Sequence, residues 1–454
     1  MTDTLASNTA DDPKRRRGPR PGTARAAWAH RNFRVMWIGS FGSNVGTWMQ
    51  NVILPPFAYK LAERTGGMSP GAYSGLIIVA QLGPMLLAPI AGELGDRFAR
   101  RPLLVLCQIE QLIFSLVLAW LVSGQPSKSA LFLVALAVGI GSAMQGPAWS
   151  AMIPNLVPFR DLQGAISLNS TMINGSRVVG PLLVVALSEF LGIGVPGVFV
   201  INAVTYLFVV IALFVAHPGR APASLAKETF TQRLSAGVRE ARRNPIVGRI
   251  LVVLPLFSLF CLPYVGQFQT IAERNLGTDS EGGTYRWLYA TWGLGACLGG
   301  LAISTILAKA DKRVLPRVFL VAFGATMVVF AHLTRPAPAF PVGFLLGFCY
   351  FSITTSMVTV LQQRVDPAVR ARVLALYFVG FGGTIPIGSW IGGWLMDRWG
   401  VTPVLNLSAV AAVLIAGLAS FKAIDERHPV ADVGTEADAA PPGGPGAGGM
   451  NLNP

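Results

Sequence analysis

Two ionisable side chains stand deep inside apolar stretches of this sequence: Glu110, in CQIEQ, and Arg177, in NGSRVVGPLL. A charge at the centre of a bilayer costs about 2.5–3.5 kcal/mol on insertion scales, so such residues are functional candidates by default. Facing one another, the two would pair and relieve each other's desolvation. A carboxyl with a raised proton affinity at Glu110 would then take up and release a proton. A purely structural ion pair is the competing reading. Neither reading is covalent catalysis.

No enzyme constellation accompanies them. His30, His217, His332 and His428 are scattered at the ends of apolar blocks and in the tails, which suits neither a metal cluster nor a catalytic triad. Cys107, Cys261, Cys297 and Cys349 lie within apolar blocks without CxxC spacing, as small buried residues do. The phosphate-cradling string GxxxxGK[ST] is missing from the sequence. No cofactor or metal is therefore expected, and any work the chain does must draw on an ion gradient or the substrate's own.

The remaining candidates are polar residues inside the same blocks: Asn44, Gln50, Gln81, Gln145, Asn169, Asn174, Gln267, Gln269 and Gln362, with Trp48, Phe268 and Tyr377 as aromatic walls. Each serves as well for helix packing as for ligand contact. Amides outnumber acids among them, which points to a neutral or mixed amphipathic small molecule rather than a strong cation.

The elements that must position these groups follow from composition. Of 454 residues, 52% are hydrophobic and 13% charged, about half the charge of a soluble domain. A hydrocarbon core of ~30 Å needs about 20 apolar residues in a helix. Such stretches are expected at 33–57, 73–91, 103–122, 130–152, 164–190, 197–216, 246–270, 285–308, 316–333, 340–362, 373–396 and 402–421. They are too long and too continuously apolar for barrel strands. The expectation is an all-α membrane protein with twelve transmembrane helices in two six-helix bundles.

Basic residues orient it. Of the 36 Lys and Arg, 28 fall in the N-terminal tail and in the loops and tail on its side, seven fall in the opposite loops, and Arg177 lies within a span. The positive-inside rule puts both termini in the cytoplasm of a cell-membrane protein. The net charge of +14 is accounted for in the same way, so no nucleic-acid partner is expected. From the polar, basic start no removable signal peptide is expected. The expected divisions are a basic tail (1–32), a first bundle (33–216), a cytoplasmic linker (217–244), a second bundle (245–422) and a disordered tail (423–454). In the linker, Phe230, Leu234 and Val238 make a narrow apolar stripe beside a basic face, as in a helix lying on a leaflet, or equally a solvated connection. Sliding the fifth span by 208 residues lays Gly180 on Gly388, Glu189 on Asp397 and Gly192 on Gly400. That suggests an internal repeat, with any binding site between the halves.

The most specific string is GELGDRFARRP, Gly92 to Pro102, between the second and third spans. Here the chain resembles the major facilitator superfamily, whose loop reads G-x-L-x-D-R-x-G-R-R/K. Gly92, Leu94, Asp96, Arg97, Arg100 and Arg101 match, and Ala99 replaces the second glycine. The resemblance implies a conformational latch at Gly92, Asp96, Arg97, Arg100 and Arg101. In the fifth span, Gly175, Gly180 and Pro181 are similar to the superfamily's exporter-associated Gly-Pro motif, although Val184 and Val185 replace the usual small residues. Asn32-Phe33-Arg34, GPAWSAMIPNLVP (146–158) and VDPAVRARV (365–373) resemble the branch holding the enterobactin exporter and macrolide or multidrug efflux proteins. The first span lacks the acid of many proton-coupled drug exporters, and Gln145 stands where the drug–proton antiporter signature has Arg. The resemblance thus implies a monomeric secondary transporter exporting a siderophore-like compound or drug, with proton coupling falling to Glu110. An uptake carrier and a non-transporting membrane sensor or scaffold are the alternatives.

Overall fold

The computed structural model describes residues 19–87, 100–216, 230–366 and 369–421. The latch residues Gly92, Asp96 and Arg97, the first part of the linker and the tail from 422 lie outside the described residues.

Helices follow the apolar blocks. We number them α1 Arg31–Thr65, α2 Pro70–Leu82, α3 Arg100–Val122, α4 Lys128–Met152, α5 Leu162–Val185 and α6 Val195–Val215. A linker helix, Phe230–Arg243, precedes the second set. There, α7 runs through Pro245–Cys261, a tight turn and Phe268–Arg274, followed by α8 Gly283–Ser304, α9 Leu315–Ala331 and α10 Pro336–Arg364. Finally, α11 takes in Arg370–Tyr377, a π-turn and Gly383–Trp399, and α12 is Val401–Leu418.

Among the described residues, 8 helical stretches are long and apolar enough to cross a membrane, with Leu315–Ala331 a shorter apolar one. The expected first, second and eighth spans are helical too, but do not meet that measure. In α1 the amides Asn44, Gln50 and Asn51 dilute the apolar run, and α2 is described only as far as the turn at Gly83–Leu87.

Within the first half, α1 packs on α2, α5 and α6, while α3 packs on α4 and α6. In the second half, α8 packs on α10, and α9 on α10 and α12. The halves meet chiefly where α2 packs on α11 and α5 on α8.

The repeat expected from sequence has geometric counterparts. A Cβ on Gly180 would lie 2.5 Å from the Trp48 Cβ on α1, and one on Gly388 would lie 2.6 Å from the Leu259 carbonyl on α7. Both glycines let their helix close on the first helix of its own half. Gly192 and Gly400 both take positive φ, 65° and 88°, where the chain turns into the next helix.

Residues 19–32, expected as tail, fold back onto the start of α5. The Asp161 carboxylate accepts from the Gly22 N–H at 3.1 Å and meets His30 Nε2 at 2.9 Å. The linker helix docks on α11 through Gly237, whose position abuts Leu376 and the Arg372 carbonyl, and it leaves Val238 exposed.

Candidate functional site

Arg177 and Glu110 do not pair. Among the described residues no ion pair includes either one. The reason is topological: α3, carrying Glu110, packs chiefly on α4 and α6, whereas α5, carrying Arg177, packs chiefly on α1 and α8. The Glu110 carboxylate lies against Gly141 of α4, where a Cβ would come within 1.7 Å of Oε2, and that oxygen is buried without a hydrogen-bond partner.

Arg177 sits between the halves. Gly180, three residues on, brings α5 against α1 at Trp48. The guanidinium carbon therefore lies 5.4 Å from the Trp48 ring, and it also lies 5.5 Å from the Phe351 ring of α10. Cation–π contacts contribute about 0.5–2 kcal/mol each, enough to offset much of the insertion cost without an acid. The Arg177 Nε is buried and unbonded. On the terminus side of Arg177, α5 presents Ser167, Ser170, Thr171 and Asn174, all exposed. A run of exposed polar side chains at helical spacing in a membrane helix belongs beside water rather than lipid.

The other candidates separate by burial. Among the described residues, Asn44 and Asn174 bond only the carbonyls of Ser40 and Ser170 on their own helices, which leaves their outward edges for a ligand. Tyr377 is half-buried and stacks on Phe381 at 5.5 Å, and Gln362 is exposed near the end of α10. The Gln81 amide donates to Asn51, Gln145 accepts from Gln111 and Asn169 accepts from Trp149. Gln50, Gln267 and Gln269, expected along a cavity, are instead fully buried. Phe268 is buried in an aromatic cluster with Tyr264, Tyr289 and Trp292. Arg101, expected in the latch, lies over the Phe214 ring at 5.4 Å.

Sequence reasoning missed Asn202. It is fully buried in α6, and its amide donates to Gln50 Oε1 at 2.9 Å, Ser115 Oγ at 3.2 Å and Tyr206 OH at 3.3 Å. A lone amide in the apolar string VFVINAVTYLF was the available signal, because such a group must find partners. Asn202→Ala orphans those groups. It is expected to lower stability by about 1 kcal/mol, since interhelical hydrogen bonds in membranes average ~0.6 and rarely exceed ~2 kcal/mol. Thermal unfolding of the purified protein checks this; an unchanged midpoint would refute it.

At the end remote from the chain termini, polar bonds join the halves. Lys60 Nζ meets Glu273 Oε1 at 3.0 Å, Arg274 Nε donates to Tyr59 OH at 3.2 Å and Tyr285 OH donates to the Val52 carbonyl at 2.7 Å. Gln267 donates to the Gly71 carbonyl at 3.1 Å, and Gln269 to Ser74 Oγ at 3.1 Å. The repeat-related acids act alike: Asp397 accepts from the Ala72 N–H at 2.9 Å in the first turn of α2, and Glu189 pairs with Arg286 in the first turn of α8. Both carboxylates thus sit at the positive end of a helix from the other half.

Residues 22–437 match the family described as transmembrane secretion effector. The chain belongs to that family. Its members are major facilitator transporters, as the resemblance at Gly92 to Arg101 led us to expect. The chain is 21% identical to the multidrug resistance protein MdtG of Proteus mirabilis over 76% of this chain and 84% of that protein. It is 29% identical to a Na(+), Li(+), K(+)/H(+) antiporter of Planococcus maritimus, over 34% of this chain and only 35% of that protein's length. Its fold is that of a bacterial homologue of the lysosomal transporter Spinster in its inward-facing, unoccupied conformation, with TM-score 0.67 and 17% identity, covering 87% of this chain and 97% of that one.

Proposed function

We propose that this transporter exports a small hydrophobic or amphipathic molecule, a siderophore-like compound or a drug, by alternating access, and that Glu110 couples the cycle to protons. The observation that carries the reading is the asymmetry along the membrane normal. One end of the two halves is tied by the Lys60–Glu273, Asp397–Ala72 and Glu189–Arg286 contacts. Toward the termini, α5 instead exposes Ser170, Thr171 and Asn174. With the termini in the cytoplasm, as the bias of basic residues directs, this is a state that loads from the cytoplasm. Repeat-built transporters place their site at the interface between repeats, where Arg177 stands. The sequence identity to MdtG, a multidrug resistance protein, supports outward movement.

The test uses everted membrane vesicles, a panel of dyes and drugs, and an imposed proton gradient. The expected result is gradient-dependent accumulation of at least one panel compound, abolished by dissipating the gradient. Accumulation in right-side-out vesicles only would make the protein an uptake carrier. In addition, Asn174→Cys should react with an impermeant maleimide from the cytoplasmic face when substrate is absent; reaction from the outer face only would overturn the assigned orientation.

A further inference from the structure

We propose that the central site selects organic anions, with Arg177 receiving a carboxylate and the surrounding rings receiving the apolar body. The proposal rests on the transporter reading above and names its substrate class.

Trp48 and Phe351 approach the Arg177 guanidinium at 5.4 and 5.5 Å from helices of opposite halves. A ring near the guanidinium carbon uses none of the group's N–H donors in a conventional hydrogen bond. Those donors point along the guanidinium edge, in the fork geometry that matches a carboxylate. Among the described residues that edge meets no acid, since no ion pair includes Arg177, and the buried Nε lacks any acceptor. An arginine whose only role was structural would be expected to bond a carbonyl or carboxylate of a neighbouring helix. This one is held by rings, positioned by the close approach at Gly180, and left with its donors unspent.

The surroundings fit the rest of such a ligand. Phe351, which lies against the guanidinium, packs edge-on against Tyr350 at 4.7 Å, so the ring cluster of the second half begins beside Arg177. Tyr350 and Tyr377 each stack on Phe381, at 6.4 and 5.5 Å, and make one aromatic wall. Tyr350 and Phe381 are buried, with Tyr350 also stacked on Trp292, so the half-buried Tyr377 is the ring of this wall that offers a face to a flat apolar body. A site with one unpaired cation and an aromatic wall favours an anion over its neutral isostere, because only the anion neutralises the buried charge. The ligand would bridge the halves, with its carboxylate on α5 and its ring on α10 and α11, and so its binding would bias their relative position.

The experiment is equilibrium binding to the purified full-length chain in lipid nanodiscs at neutral pH, where a carboxylate probe is ionised. The probes are naphthylacetate, its methyl ester and tetraphenylphosphonium. Naphthylacetate is expected to bind about tenfold or more tightly than its ester, and tetraphenylphosphonium not to compete. R177Q should bind naphthylacetate no more tightly than it binds the ester. R177K, which keeps the charge but not the fork, should recover part of the loss. A thermal unfolding midpoint close to the parent's shows that R177Q is folded. Equal binding of acid and ester by the wild type, tighter binding of the cation, undetectable acid binding, or R177Q binding the acid normally would each overturn the proposal. Binding in nanodiscs needs no transport. A chain that binds the anion through Arg177 and moves nothing would therefore sink the exporter reading alone.

Discussion

Gly75→Ala is expected to cut transport about tenfold or more by preventing the outer ends of the halves from meeting. A Cβ at Gly75 would lie 2.6 Å from the Cα of Trp390 and 2.8 Å from the carbonyl of Ser389. Those are backbone atoms of α11, which cannot rotate aside as a side-chain tip would. Next to it, Gly393 stands so close that a Cβ would lie 2.1 Å from the Gly71 carbonyl. The α2–α11 contact is therefore built backbone against backbone, and adding a methyl group must separate the helices. Overpacking of this kind costs about 1–3 kcal/mol, which shifts a two-state equilibrium by about 5–150-fold. The cost falls only on the state in which these ends touch. Folding should survive, and the cycle should stall with the outer ends apart. Cysteines replacing Glu189 and Arg286, which pair across the same end, would report it: cross-linking should be efficient in the parent and weak beside Gly75→Ala. Gly175→Ala is the control, because a Cβ there meets only the Phe41 ring at 3.5 Å, an ordinary contact. Undiminished cross-linking and transport in Gly75→Ala would refute the argument.

The sequence made this architecture legible wherever physics acts on long stretches. Continuous apolar blocks dictate helices in a bilayer, and Gly180, Glu189 and Gly192 recur in register at Gly388, Asp397 and Gly400 because each pair meets the same geometric demand in its half. Individual polar residues were less readable. Gln50 and Gln267 look the same in sequence as Asn44, yet the first bonds Asn202 on α6 and the second bonds Gly71 and Ser389. Residue type states that an amide needs partners, and only the packing says whether those partners are protein or water. The pairing expected between Glu110 and Arg177 failed for a related reason. Charge complementarity is readable from sequence, whereas the neighbours of each helix are not, and here the guanidinium took aromatic partners from α1 and α10. Phe351 is too distant in the chain for any local pattern to join it to Arg177.

The isolation of Glu110 strengthens its case as the coupling group. A carboxylate with a bound cation would keep its charge through the cycle, whereas Glu110 has a buried oxygen without a partner and no ion pair among the described residues. Its other contact is Gly141 on α4, where a side chain would displace it. Each coupled proton contributes about tenfold in accumulation per unit of pH difference. Glu110→Gln keeps the shape of the neutral acid and cannot release a proton. It is expected to fold at least as stably as the parent, to keep downhill movement of substrate, and to lose the accumulation that a pH gradient drives, which leaves its rate flat with pH. Glu110→Asp, a shorter acid, should retain a pH-dependent rate. Vesicle accumulation measured at several imposed gradients decides the matter: if Glu110→Gln concentrates substrate as the parent does and follows the same pH profile, Glu110 is not the coupling group.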